Sequence, residues 1–401
     1  MEYLTNKSAP AVRISPTDAH YFFGYYDLQP YNLSQTLHLA HKSSFCNRLP
    51  KKTDMAEIGA IDIGTGMFRS FTKTHAWNFQ QGAMLQWNPL APDDEIIYND
   101  FIENNYCGVV MDIHSGKKRF LDRPVANVSK DGKYALSINM SRLFSFRPGY
   151  GYANKPDPFF YRNHPENDGI YLTDMKSGTS HLILSLQKIW EFTGGATVFG
   201  KDEKILVNHI TFNPDGSRFL ALVRNFPPNG SMWKTAIITA NRDGSDPYLL
   251  SHYGVQSHYW WKNEREIFFF SDGKETDVTL GWANTYLLTD KTQKGALIGD
   301  GFFVRDNHMS LSPDQSLLIT DNYPNETEHR ILMLYSPEKN VCANLGYFHS
   351  VLYDCIDIRC DLHPRWNRTG DGITFDSTHE GFRGIYRIDL SKNAVEALLT
   401  Y

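Results

Sequence analysis

The sequence predicts an all-β protein, a seven-bladed β-propeller of four-stranded antiparallel blades. Three observations carry that expectation. Two short patterns alternate along the chain, seven times each. Turn-forming residues separate short apolar strands throughout. No long helical periodicity competes with them.

The first pattern is an aromatic or apolar residue, a Ser-Pro-Asp-Gly-like turn and an apolar strand. It runs YNLSQTLHLAH (31–41), WNPLAPDDEIIYND (87–100), VSKDGKYALSIN (128–139), FNPDGSRFLALVR (212–224), WKNEREIFFFSD (261–272), LSPDQSLLITDN (311–322) and WNRTGDGITFDS (366–377). Pro, Asp, Asn and Gly make the turn of a hairpin, so each copy reads as two strands, A and B. The second pattern is a strand ending in a small turn, most often after Asp. It runs GAIDIGTG (59–66), VVMDIHSG (109–116), YLTDMKSG (171–178), AIITANRDG (236–244), TYLLTDKTQKG (285–295), ILMLYSPEKN (331–340) and IYRIDLSKN (385–393). Each copy is a strand C turning into a strand D. Four antiparallel strands per unit, repeated about every 40 to 60 residues, is the mark of a propeller. An open sandwich would not account for seven alternations. Blades are expected to start near residues 22, 82, 123, 207, 256, 306 and 361, within a single domain over residues 1–401. Residues 1–20 either complete the last blade or drape across it.

The 401 residues carry a net charge of -5 and a pI near 6.3, which argues against a nucleic-acid partner. Aromatic residues make up 14% of the chain, enough to pack blades and to leave a few for sugar stacking. Five cysteines, an odd number without metal-ligand spacing, argue against a disulfide framework. There is no apolar leader in residues 1–20 and no apolar run near the ~18 residues of a membrane span. The chain reads as a soluble, cytoplasmic protein with no membrane partner and an unassigned oligomeric state.

Strand A is innermost in each blade, so its start lines the mouth of the central channel. His209 and His308 each precede the Pro of their A–B turn by five residues, and His258 and His363 occupy the same offset before degenerate turns. Equivalent positions in successive blades form a ring, so four histidines converge on one mouth. The plain alternative is four core histidines, each bonded to a neighbouring strand. Clustered imidazoles with a carboxylate suit a divalent ion such as Mn, Zn or Fe. Asp361, two residues before His363, points to the same side of the chain. His308, His363 and Asp361 are therefore the candidate metal ligands. Asp306 and Asn307 flank His308.

The loops expected at this face are long and polar. RNFPPNGSMWK (224–234) holds Arg224 and Lys234, DNYPNETEHR (321–330) holds Asp321, and DSTHEGFRG (376–384) holds His379 and Arg383. The stretch from Ser141 to Asp168 holds Arg142, Arg147, Tyr150, Tyr152 and Arg162, and its length suggests a lid or binding segment. HAWNFQQGAMLQW (75–87) offers Trp77, Asn78, Gln80 and Gln81, groups suited to a hydroxyl-rich ligand. Candidate substrate contacts are Trp77, Asn78, Gln81, Lys234, Arg305 and Arg383.

HITFNPDG (209–216), SHYWW (257–261), NHMSLSPDQSLLITD (307–321) and DLHPRWNRTGDGITFDSTHEGFRGIYRIDL (361–390) resemble the cytoplasmic oligogalacturonate lyases, seven-bladed propellers of the TolB-like, WD40-like type. The resemblance covers roughly residues 205–401; the front half, with HYFFGYYD (20–27), looks like a distinct branch. It implies an acidic oligosaccharide substrate and a divalent metal, Mn first, with Zn or Fe as alternatives. It makes His258 the proton-abstracting base and His308, Asp361 and His363 the ligands. The family carries His where this chain has Asp361, and a Gln ligand where it has Ile358. The family's catalytic Arg has no clear counterpart; Arg224 and Lys234 are substitutes. In such a lyase, β-elimination removes the C5 proton of a 4-linked uronate, with Tyr152 or Tyr150 protonating the leaving oxygen and His209 as a further acid/base. Two other classes remain open: a glycoside hydrolase using a pair from Asp306, Asp321, Asp361 and Asp376, and a non-catalytic glycan- or protein-binding propeller.

Overall fold

In a computed structural model the chain forms seven antiparallel sheets arranged as the blades of a seven-bladed β-propeller. The structure describes residues 4–5, 9–226, 233–252, 256–271, 284–292, 294–299, 302–324, 327–350 and 355–400. Residues 227–232 of the 224–234 loop, residues 325–326 of the 321–330 loop and residue 293 of the fifth C–D turn region lie outside the described residues.

Blade 4 shows the pattern most fully: A is Ile205–Phe212, B is Arg218–Asn225, C is Thr235–Asn241 and D is Tyr248–Ser251. Its A–B turn, Pro214-Asp215-Gly216, is held by Asp215 accepting from the Ser217 amide and hydroxyl, and Gly216 adopts φ +69. Leu220, Ala221, Leu222 and Val223 on strand B are all fully buried. Each face of a blade packs on a neighbour, so a middle strand reads as a continuous apolar run rather than an alternation. Each such Leu or Val stabilises the ring by about 1.5–3 kcal/mol. The inner strands of the other blades are His20–Phe22, Gln86–Trp87, Asn127–Val128, Gln256–Trp261, Ser310–Leu311 and Arg365–Trp366.

The amino-terminal segment completes the last blade. Blade 7 consists of Arg365–Trp366, Gly372–Ser377 and Gly384–Asp389, and its outer strand is Val12–Arg13, paired antiparallel with Tyr386 and Arg387. Leu4–Thr5 adds a fifth, parallel strand to blade 6, on Val341–His349. The ring is thus closed by chain from both ends of the described sequence.

Two departures from a plain propeller shape the channel. In blade 1 strand A breaks after Phe22 and rejoins the sheet at Tyr31, which bridges His38. The intervening residues enter the channel. Asp376 caps the excursion by accepting from the Phe23 and Gly24 amides. Gly24 has φ +128, and a Cβ there would lie 3.0 Å from the Gln81 carbonyl, so only glycine fits. In blade 3 the B–C connection carries a helix, Met140–Phe146, capped by Asn139. Buried Arg142 ties this insertion to blade 4, donating to Ile205 O at 2.8 Å and pairing with Asp157 at 3.1 Å. All five cysteines are free thiols. No helix of the described residues is long and apolar enough to cross a membrane.

Candidate functional site at the channel mouth

The four equivalent histidines do meet, and the local chain shows how. In blade 4 the A–B ladder shifts register between Val207 and Ile210, freeing Asn208 and His209 from pairing. In blade 5 it shifts between Gln256 and Tyr259, freeing Ser257 and His258. Bulges re-aim side chains in this way. In blades 6 and 7, His308 and His363 lie just ahead of a shortened strand A. His363 sits at φ +44, unusual for a residue with a Cβ. One carboxylate holds both positions. Asp321 Oδ1 accepts from the His308 amide and faces its Nδ1, at 2.9 and 2.8 Å, while Oδ2 accepts from the Leu362 and His363 amides.

The ring nitrogens can be assigned from their partners. A carboxylate only accepts, so His308 Nδ1 carries a hydrogen toward Asp321, and His258 Nδ1 carries one toward Asp306 at 2.9 Å. In the neutral rings both Nε2 atoms are then bare. They nevertheless face each other at 3.1 Å, a distance that calls for a proton or a cation between two lone pairs. His363 repeats the pattern: Nδ1 donates to Gly24 O at 2.8 Å, and among the described residues the buried Nε2 has no hydrogen-bond partner. Asp361 stands beside it, with Oδ2 3.9 Å from His363 Nε2. Ligand atoms of His308, Asp361 and His363 all lie within 4.8 Å of one another.

Electrostatics keep three of the four rings neutral. Burial, with the neighbouring rings next in order, holds His308, His363 and His209 well below the usual imidazole range. Burial would raise Asp361, but Arg330 and Arg359 outweigh it and keep it ionised. Burial would likewise raise Asp306; the His258 ring and its hydrogen bond outweigh it and bring Asp306 down to about 2. Asp321 is pushed up to about 6 by burial against the opposing Arg330. Neutral imidazoles fixed through Nδ1, next to an ionised carboxylate, are the donor set and outer support of a divalent-ion site. These residues fit such an ion.

Around this core stand groups from distant blades. Tyr25 stacks on His209 at 4.9 Å, with its hydroxyl 3.0 Å from Nε2, and Tyr26 packs on His308 and donates to Tyr259 O at 2.7 Å. Arg359 donates to the hydroxyls of Tyr150 and Tyr323 at 2.9 and 2.8 Å, and Tyr323 lies over the His258–His308 pair. Gln81 reaches His209 Nδ1 at 3.4 Å. Arg224 is buried at the same mouth; burial, then Arg147, lowers it to about 10, and its Nε has no partner among the described residues. His209, His258, His308 and His363 are each 5% exposed or less.

Of the residues expected at the site, the structure brings together His209, His258, His308, His363, Asp361, Arg224 and Gln81. Others are occupied elsewhere. The Tyr152 hydroxyl accepts from Asn99 between blades, and it is Tyr150 that reaches His209. The Trp77 indole donates to Asp54 O among Phe22, Phe45 and Phe79. Asn78 caps the turn at Gln80 and Gln81. The terminal nitrogens of Arg383 donate to the carbonyls of Phe79, Ile358 and Arg359. Lys234 and Arg305 are exposed, the latter donating to Pro324 O. Sequence reasoning missed Tyr25, Tyr26, Tyr323, Arg330 and Arg359 as parts of the site. HYFFGYYD and DNYPNETEHR were visible as unusual segments, yet nothing local shows that they meet.

As a sequence the chain matches no family model and no curated protein. Solved structures do match it. An oligogalacturonate lyase from Vibrio parahaemolyticus superposes with a TM-score of 0.65 at 13% identity, covering 96% of this chain and 95% of that one. An oligogalacturonate lyase in complex with manganese superposes with a TM-score of 0.68 at 14% identity, covering 98% and 96%. The chain has the oligogalacturonate lyase fold. A puromycin-hydrolyzing peptidase from Mycobacterium tuberculosis superposes less closely, with a TM-score of 0.51 at 12% identity over 97% of this chain and 55% of that one. At these identities the likeness is one of fold.

Proposed function

We propose that this chain is a divalent-cation-dependent lyase that cleaves a uronate-containing oligosaccharide by β-elimination, with manganese the favoured ion. One observation carries the reading: the bare Nε2 atoms of His308 and His363 converge with the Asp361 carboxylate, each ring oriented by a hydrogen bond from Nδ1. The fold shared with a lyase in complex with manganese supports it.

In this reading His308, His363 and Asp361 hold the ion, which supplies Lewis-acid neutralisation of the substrate carboxylate. The chain's own groups do the rest. His258 takes the C5 proton on Nε2, and Asp306 holds the ring in the required tautomer and stabilises the imidazolium. Arg224, a buried guanidinium with spare donors, binds the uronate carboxylate and shares the charge of the enediolate. Tyr150, beside His209 and bonded to Arg359, delivers a proton to the leaving oxygen. A glycoside hydrolase is less well supported. Asp361 and Asp376 are paired with arginines and Asp321 holds His308 and His363, leaving only Asp306 partly exposed.

Metal content by elemental mass spectrometry, beside absorbance of unsaturated uronate products, tests the reading. Wild type should hold about one ion per chain, and His308→Ala and His363→Ala should lose it. His258→Ala should keep the ion and lose turnover by about 100-fold or more. An unloaded wild type after incubation with Mn, Zn and Fe, or a fully active His258→Ala, overturns it. Loss of the ion in His258→Ala would move that residue from base to ligand. The burial of all four rings favours a second reading, a binding propeller stiffened by a buried ion. Stoichiometric metal without any unsaturated product supports that one.

A further inference from the structure

Two neighbouring cavities lie between the histidines and the A–B turns. Tyr25 and His209 line a small cavity of about 20 Å3, together with Tyr26, Asp27, Gln81 and Asn208. Beyond it a cleft of about 270 Å3 opens at the A–B turns, among Lys130, Thr211, Asn213 and Trp261. Asp27 lines both, as do Thr211 and Tyr259.

Three polar atoms at this boundary lack partners. Asn208 Nδ2, Asn208 Oδ1 and Asp27 Oδ1 are buried without a hydrogen bond among the described residues. Asn208 is there because the blade 4 bulge took it out of the ladder. A cavity of about 10–15 Å3 or more accepts a water when two to four polar groups line it. A cation would satisfy Asn208 Oδ1 and repel Nδ2; water satisfies both. Asp27 also differs from the buried aspartates of the mouth, which all have an arginine or histidine beside them. The titratable groups facing it are the phenols of Tyr25, Tyr26 and Tyr259, His209 across the cavity and Lys130 in the cleft. None forms an ion pair with it among the described residues.

We propose that Asp27 is a proton gate in a water-filled path that joins the turn-side face of the propeller to the cavity wall formed by Tyr25 and His209. A proton that the site leaves on the His209 imidazole passes to a cavity water, that water passes a proton to the ionised Asp27 carboxylate, and Asp27 releases it to solvent in the cleft. No other reactant is consumed. The gate suits a site whose outer mouth closes over substrate, because protons then exchange through the opposite face. Burial, opposed only by its own backbone amide, raises Asp27 to about 7, where a relay group both loads and unloads at neutral pH. The choice of His209 as the group that sheds the proton rests on the proposed function; the gate itself does not.

The test therefore needs no substrate. Infrared difference spectra across pH 5 to 9 should show a protonated-carboxyl band lost with a midpoint near 7 in wild type and missing in Asp27→Asn. The Asp321 band, expected near 6, should remain in both. Deuterium exchange at the His209 ring C2–H, read by mass spectrometry, should slow at least tenfold in Asn208→Leu, which fills the cavity, with His258 exchange unchanged. An Asp27 carboxyl ionised throughout the range, or unchanged His209 exchange in Asn208→Leu, overturns the gate. Absence of lyase activity with both results as expected would sink the proposed function and leave the gate standing.

Discussion

Asp27 and Asp361 show how buried carboxyls of one type are driven in opposite directions within one fold. Asp361 is surrounded by guanidinium groups and stays ionised, whereas Asp27 has none and rises from 3.8 to about 7. The linkage has a definite sign. Between those two values the folded chain binds a proton that the unfolded chain releases, so stability falls as pH rises from about 4 to 7. Asp27→Asn removes that penalty. Its thermal midpoint should equal wild type at pH 4 and exceed it at pH 8, with an upper bound of about 4 kcal/mol on the gain. Calorimetry at the two pH values reads this directly; a variant equally destabilised at both would show that the carboxylate has a partner. Asp27 was invisible as a functional residue in the sequence, where it reads as one more turn aspartate after a run of aromatics.

At the scale of elements, the inner strands carry the site by failing to be regular. The turn chemistry made A and B legible in all seven blades, and the common offset of the four histidines followed from it. What was not legible is the register. A bulge depends on pairing with the next strand, and His363 reaches φ +44 only because Asp321, from blade 6, grips its amide. Arg330 was hidden for a similar reason, since its partner Asp361 is contributed by the next blade. Asp321→Asn should accordingly act through geometry. It keeps an acceptor for the His308 ring and loses charge and one acceptor for the amides. Metal affinity should fall about 10- to 100-fold while the far-ultraviolet circular dichroism stays as in wild type. Unchanged affinity would mean that the rings are set by the backbone alone.

For the whole molecule, the ring depends on pairing across the full length of the sequence. Ile14 donates to Ile385 O at 2.9 Å, Ile385 donates to the Ser15 hydroxyl, and Tyr21 donates to Arg383 O. Removing residues 1–15 deletes the outer strand of blade 7 and bares the edge of Gly384–Asp389. The thermal midpoint should fall by roughly 5 °C or more, at about 2 °C per kcal/mol for a chain of this size. Light scattering should rise with concentration as exposed edges pair. A truncated chain that stays monomeric and equally stable would make the outer strand dispensable.

The shared blade also imposes an order of events on synthesis. Val12–Arg13 is made long before its partner strand, Gly384–Asp389. His308, Asp361 and His363 likewise come from late blades, while Tyr25 and Gly24, which pack against them, come from the first. The growing chain thus carries an unpaired Val12–Arg13 segment and an unsatisfied first blade until blade 7 is made. The histidine cluster assembles only once blades 6 and 7 have been made, so capture of the proposed ion would coincide with closing the ring.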